Sequence, residues 1–190
     1  MSRAYRITLK ETAIRDLKGS DEICTDLEIL EVLPCEQMGE LLKKELTEKG
    51  FAEGDDGTYR RTDGNVTITV NPKTFELSVR ADVDEEVTLE ARRHAGGYDD
   101  VGPSERATKA GLQEQLAKDI DAKAHEQTER LRGRASEQLE EKLRDLEPEL
   151  SEMVNKVTRE ALKQKAKQLG TIKELHEDEA SGSLTITIEV

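Results

Sequence analysis

There is no tryptophan in this sequence, and all aromatic residues together make up 3% of it. A large core built around big rings is therefore excluded. Apolar residues account for 34% and charged residues for 37%, against roughly 45–50% and about 25% in an ordinary globular domain. Over 190 residues that composition suits one modest domain, or a small domain with an appendage, better than a single large globule. The apolar residues recur at regular intervals, which argues against disorder for most of the chain.

Other shortages exclude whole classes of function. No apolar run approaches the ~20 residues of a membrane span, and the opening "MSRAYRITLK" lacks the apolar centre of a signal peptide. The expectation is a cytoplasmic protein. Its two cysteines, Cys24 and Cys35, are then reduced thiols, and without a nearby histidine pair they do not make a zinc site. Positive charge is also short, with a formal net charge of −13. An acidic surface repels phosphate backbones and anionic lipid heads, so neither nucleic acid nor a membrane is an expected partner.

Catalytic patterns are missing too. His94, His125 and His176 are scattered along the chain, whereas metal sites need clustered ligands. "DVDEEVTLE" (82–90) spaces its acids like a calcium loop, but Val87 stands where the required glycine belongs and Arg93 where the closing glutamate belongs. "GDDGTYRRTDG" (54–64) lacks the lysine-containing signature of a phosphate loop. Ser20, Ser104 and Ser183 have no nucleophile-elbow context. The expectation is a non-enzyme with no catalytic, cofactor or metal site. A small-ligand or divalent-cation binder, or an enzyme, using an acidic sheet face is the alternative.

The acidity is unevenly spread. Residues 104–169 carry 14 acidic and 14 basic side chains, whereas residues 1–103 carry 23 and 14, and residues 170–190 carry 5 and 1. The ends that hold the excess read as strands. Residues 4–10 alternate through Tyr5, Ile7 and Leu9. "VTITV" (66–70), the turn "NPKT" and the alternation Phe75, Leu77, Val79 form a β-hairpin. "VTLEARR" (87–93) reads as an edge strand, residues 20–34 suit helix and strand equally, and the glycine-rich stretch 94–104 reads as a linker. Between these strands, Met38, Leu41, Leu42 and Leu46 form a helical stripe after Pro34, with Gly50 placed to end the helix.

The neutral segment reads as helix throughout, with Ser104 as its N-cap. A stripe runs Leu112, Leu116, Ile120, Ala124, Thr128, Leu131, Ala135, Leu139, Leu143, Leu146, Leu150, Met153, Val157, Ala161. Its mean spacing of about 3.8 exceeds the 3.5 of a left-handed coiled coil. An unbroken helix would extend about 99 Å and strand the final "SGSLTITIEV" far from any sheet. We therefore expect a turn, at "RGRAS" (132–136) in preference to Pro148. Two antiparallel helices would result, with Arg130, Arg132 and Arg134 at the tip as a candidate partner-binding cluster.

Residues 40–70 and 160–190 also align without a gap, matching Leu42 with Leu162, Lys43 with Lys163 and Gly50 with Gly170. This internal repeat places the C-terminal strand in the same sheet as the first copy. The fold class expected is α+β: a small antiparallel sheet with a packed helix, plus a projecting antiparallel helical hairpin, a coiled-coil-like arm. The body's first half is 1–93, the linker 94–104, the arm 105–169, and residues 170–190 form a β-hairpin returning to the body.

The run "DLEILEVLPCEQMGELLKKELTEKGF", the hairpin after it, the charged helices and the closing "GSLTITIEV" resemble small accessory proteins of bacterial FtsH-type ternary conflict systems. Those systems combine AAA+ ATPases of the FtsH and MoxR types with a von Willebrand A protein. The tail "ALKQKAKQLG…SGSLTITIEV" is also similar to the C-terminal part of an uncharacterised family of small cyanobacterial and plastid proteins. The resemblance implies a non-catalytic adaptor or scaffold whose partners are other proteins, an AAA+ ATPase or von Willebrand A component among them. It brings no catalytic residues. Self-association through the helical arm is compatible with that role.

Overall fold

The computed structural model describes residues 4–98, 102–178 and 183–189. In chain order the elements are β1 (Ala4–Asp26), α1 (Cys35–Glu48), β2 (Ala52–Glu53), β3 (Tyr59–Asp63), β4 (Val66–Val70), β5 (Glu76–Tyr98), α2 (Glu105–Leu169), β6 (Thr171–Asp178) and β7 (Ser183–Glu189). Five strands form one sheet in the order β1–β5–β4–β3–β2, and β6 and β7 form a second. The class is α+β with an antiparallel sheet, as the alternating strand patterns require. The chain divides into two compact units, Met1–Asp21 with Asp82–Glu137, and Glu22–Ala81 with Gln138–Val190.

In the first unit, β1 and β5 are paired and the first half of α2 covers one face. Odd-numbered residues of both strands point toward the helix. Leu89, Ala91, Leu116, Ile120 and Ala124 form the core there, with Leu9, Ala13, Leu17 and Val87 packed around them. A two-stranded ribbon is marginal by itself in water, and the helix supplies the apolar cover it needs. Ion pairs fringe this core, Arg15 with Asp121 at 2.8 Å and Arg93 with Asp119 at 2.6 Å. Gly19 sets how closely strand and helix approach. A Cβ there would lie 2.5 Å from the Arg132 nitrogen and the Leu131 carbonyl carbon, both backbone atoms.

In the second unit, β4 is the central strand, with Val66, Ile68 and Val70 all buried. It pairs with β3 on one side (Arg61↔Ile68) and with β5 on the other (Ile68↔Val79). Helix α1 buries Met38, Leu42 and Leu46 completely. It ends at Gly50, whose φ of 81° a Cβ-bearing residue adopts only with strain. The rest of α2 lies antiparallel to α1: Lys49 meets Glu152, and Lys156 meets Glu45 and Glu48. Leu139, Leu146, Met153, Val157, Ala161 and Ala166 are its buried residues here.

The expected helical hairpin is absent. Helix α2 runs unbroken for 65 residues, through Gly133 and with Pro148 inside it. Ser136 is not a cap: its hydroxyl donates 2.7 Å to Asp21. The apolar stripe does not need a second helix, because β1 and β5 are each 23 residues long and present their own apolar face. The helix begins as expected, with the Ala107 N–H donating 3.3 Å to the Ser104 hydroxyl.

Two further expectations are corrected. The glycine-rich stretch from His94 is strand as far as Tyr98. Gly97 is there because Tyr5 lies across it, leaving 2.7 Å between a built Cβ and the tyrosine oxygen. That hydroxyl is held by Pro103 and Thr108, both at 2.9 Å. The C-terminal strands do not join the five-stranded sheet. They pair with each other, from Thr171↔Glu189 to Asp178↔Ser183.

Candidate protein-interaction surface

In the second unit a polar network fixes the flank of α2 that faces α1. Arg61, on the helix-facing side of β3, donates to both carboxylate oxygens of Glu149 at 2.7 and 2.8 Å and to the Lys49 carbonyl at 3.1 Å. Its guanidinium lies 4.7 Å from the centre of the Phe51 ring, a cation–π distance. Asp63 on the same strand pairs with Lys142 at 2.8 Å. The hydrogen bond from Arg61 holds the Glu149 carboxyl below its usual range, and the one from Lys142 does the same for Asp63. The contact with Glu149 in turn raises the Arg61 guanidinium.

With that flank engaged, the opposite flank of α2 is open. Leu143, Arg144, Glu147, Leu150, Ser151, Val154 and Asn155 line a groove there, against Thr25–Glu28 and Leu77, with a volume of about 770 Å³. The spacing of those helix residues places them on one face. Leu27 and Leu77 form a buried floor, and Leu143, Leu150 and Val154 are only half-buried. Two residues beyond Glu28 in sequence, Leu30 is 63% exposed. The rim carries Asp26, Glu28 and Glu147 against the single cation Arg144. Among the described residues none of these four charges has an ion-pair partner, whereas α2 carboxylates elsewhere are engaged by Arg93, Arg15 and Arg61.

The arginines singled out from sequence are each engaged by a carboxylate. Arg130 pairs with Glu126, Arg132 with Glu129, and Arg134 with Glu85, each at 2.7–2.8 Å. They sit within a continuous helix, so no hairpin tip presents them. Cys24 and Cys35 are free and exposed. Among the described residues no group of His, Cys, Asp and Glu is arranged to hold a metal ion, and no helix is long and apolar enough to cross a membrane. Sequence reasoning missed the groove, although its signal was present. Leu143 and Leu150 were legible as positions of the apolar stripe, but only the tertiary structure shows that they and Val154 stay half-buried.

No curated protein and no solved structure matches the chain. A family does: the FtsH ternary system domain X5, over residues 1–190. The match covers the whole chain, and the chain therefore belongs to the FtsH ternary system domain X5 family.

Proposed function

We propose that this protein is a non-catalytic adaptor that binds partner proteins within its AAA+ ATPase-associated system, and that the groove beside α2 is where one of them docks. The observation that carries this reading is the pairing of half-buried Leu143, Leu150 and Val154 with the unpartnered carboxylates of Asp26, Glu28 and Glu147. Apolar side chains left open at a helix flank invite an amphipathic helix laid into the groove. The acidic rim selects one with Lys or Arg beside its apolar stripe, since opposite charge steers encounter and fixes register. Membership of a multi-component ATPase system supplies the reason for such a partner.

The test is co-purification with the AAA+ ATPase and von Willebrand A components of the system. The pair L150D and E147K should remove recovery of the partner while the circular dichroism spectrum and melting temperature stay unchanged. The triple variant R130E/R132E/R134E forms the comparison arm and should recover the partner normally. Loss in the triple variant with retention in the groove variant would move the docking site to the arginines. The non-catalytic part of the reading is tested by calorimetry with Mg²⁺, Ca²⁺ and nucleotides. Tight binding of any of these would favour a ligand-binding or enzymatic role.

A further inference from the structure

Every sheet edge offers unpaired N–H and C=O groups to another strand, and proteins guard such edges with charge, shortness or irregularity. The five-stranded sheet is guarded at both ends. Its β1 edge carries Arg6, Lys10, Asp16 and Lys18, and its β2 edge is two residues long. In the second sheet, β6 carries Lys173, Glu174 and Glu177, with a register irregularity between Ile172 and Glu174. Strand β7 has none of these protections. Its residues are Ser183, Leu184, Thr185, Ile186, Thr187, Ile188 and Glu189, and the single charge is answered by Lys173 at 2.9 Å.

One edge of β7 pairs with β6, and among the described residues the other pairs with no strand. Leu184, Ile186 and Ile188 share a face with Ile172 and Leu175. That face is only half-covered, and Leu175 is 43% exposed. A two-stranded sheet is marginal by itself, so widening it would bring real stabilisation.

We infer that β7 is a self-association edge, pairing antiparallel with β7 of a second copy of this chain. The occupant follows from the apolar and hydroxyl alternation of residues 184–188, which reads the same in both directions. A two-fold axis at Ile186 places Leu184 opposite Ile188, Thr185 opposite Thr187, and Ile186 opposite itself. The five central residues are paired apolar with apolar on one face and hydroxyl with hydroxyl on the other. Ser183 meets Glu189, so no like charges face each other. Cross-strand pairs of these kinds are favourable, and a two-fold, self-complementary patch is the commonest way for a chain to dimerise. The product is a four-stranded sheet in the order β6–β7–β7–β6 whose two central strands present one apolar face.

Sedimentation over a concentration series tests this with two variants at exposed threonines. In the wild type a dimer should form. T185K/T187K sets lysine against lysine across the axis and should weaken association by more than about tenfold. T185E/T187K sets glutamate against lysine and should keep the dimer. Within each chain Thr187 faces Glu174 and Thr185 faces His176, so T187K suits the hairpin in both variants. Circular dichroism confirms that each folds. A wild type that stays monomeric overturns the proposal. So does a dimer indifferent to T185K/T187K, which would place the contact elsewhere, or equal loss in both variants, which would refute the register.

Discussion

Arg61 and Glu149, 88 residues apart in sequence, meet through two parallel hydrogen bonds of 2.7 and 2.8 Å. The pair ties β3 to the middle of α2, and both side chains are mostly withdrawn from water. Bidentate guanidinium–carboxylate contacts are among the stronger hydrogen bonds in proteins. Glu149→Gln removes the charge and half of the fork while leaving Arg61 in place. We expect a loss of about 2 kcal/mol, read as a lower urea midpoint at unchanged slope. A change within a few tenths of a kcal/mol would mean the pair contributes little to stability.

Acid should find the same network. The Glu149 and Asp63 carboxyls are both depressed below their ordinary values of 4.5 and 3.8. A carboxylate depressed in the folded state adds stability above its unfolded pKa and gives it up as pH falls through the lower folded value. Urea midpoints should therefore hold from pH 7 to roughly pH 5 and decline below about pH 4.5. In Glu149→Gln that decline should be shallower. Parallel declines in both proteins would remove this pair from the acid response.

Two glycines should respond oppositely to alanine. At Gly19 the added methyl meets the backbone of Leu131 and Arg132 at 2.5 Å, so strand and helix must separate, at about 2 kcal/mol. At Gly133 the added Cβ has nothing within 4 Å, and alanine should stabilise the helix by about 1 kcal/mol. Thermal melts of the two variants decide this. Destabilisation by Gly133→Ala would restore the turn at 132–136.

Pro148 breaks the hydrogen-bond ladder inside α2. Pro148→Ala should raise the melting temperature, because alanine restores a donor and removes a steric clash worth up to about 3 kcal/mol. A lower melting temperature would show that the proline's geometry is needed where α2 packs in the second unit.

The helix stripe carried a clue that its spacing obscured. The steps Leu131 to Ala135 and Leu146 to Leu150 pass Gly133 and Pro148 without losing phase, as one helix requires. A turn would have reset them. The hairpin was inferred because an unbroken helix would carry the closing strand far from any sheet, whereas that strand finds its partner in β6. Acidic runs such as "DVDEE" (82–86) do resemble turns by composition. They are nevertheless strand, since only alternate residues face the helix and the acids can point to water. The groove was illegible for a related reason: apolar spacing marks a side as buriable and says nothing of what buries it.

From its order of residues alone, this chain dictated the apolar side of α1, of the strand at residues 4–10 and of the hairpin built on residues 66–79, where α1 and α2 begin, and that α and β would segregate. Those are properties of periods of two and of about 3.6 residues, expressed within a few turns of chain. Folding in three dimensions decided that β1 and β5 cover the first half of α2, that the β6–β7 hairpin forms a sheet of its own, and that one flank of α2 stays open. Segments distant along the chain compete to bury the same apolar stripe, and that contest is settled by their packing together rather than by the pattern of any one of them.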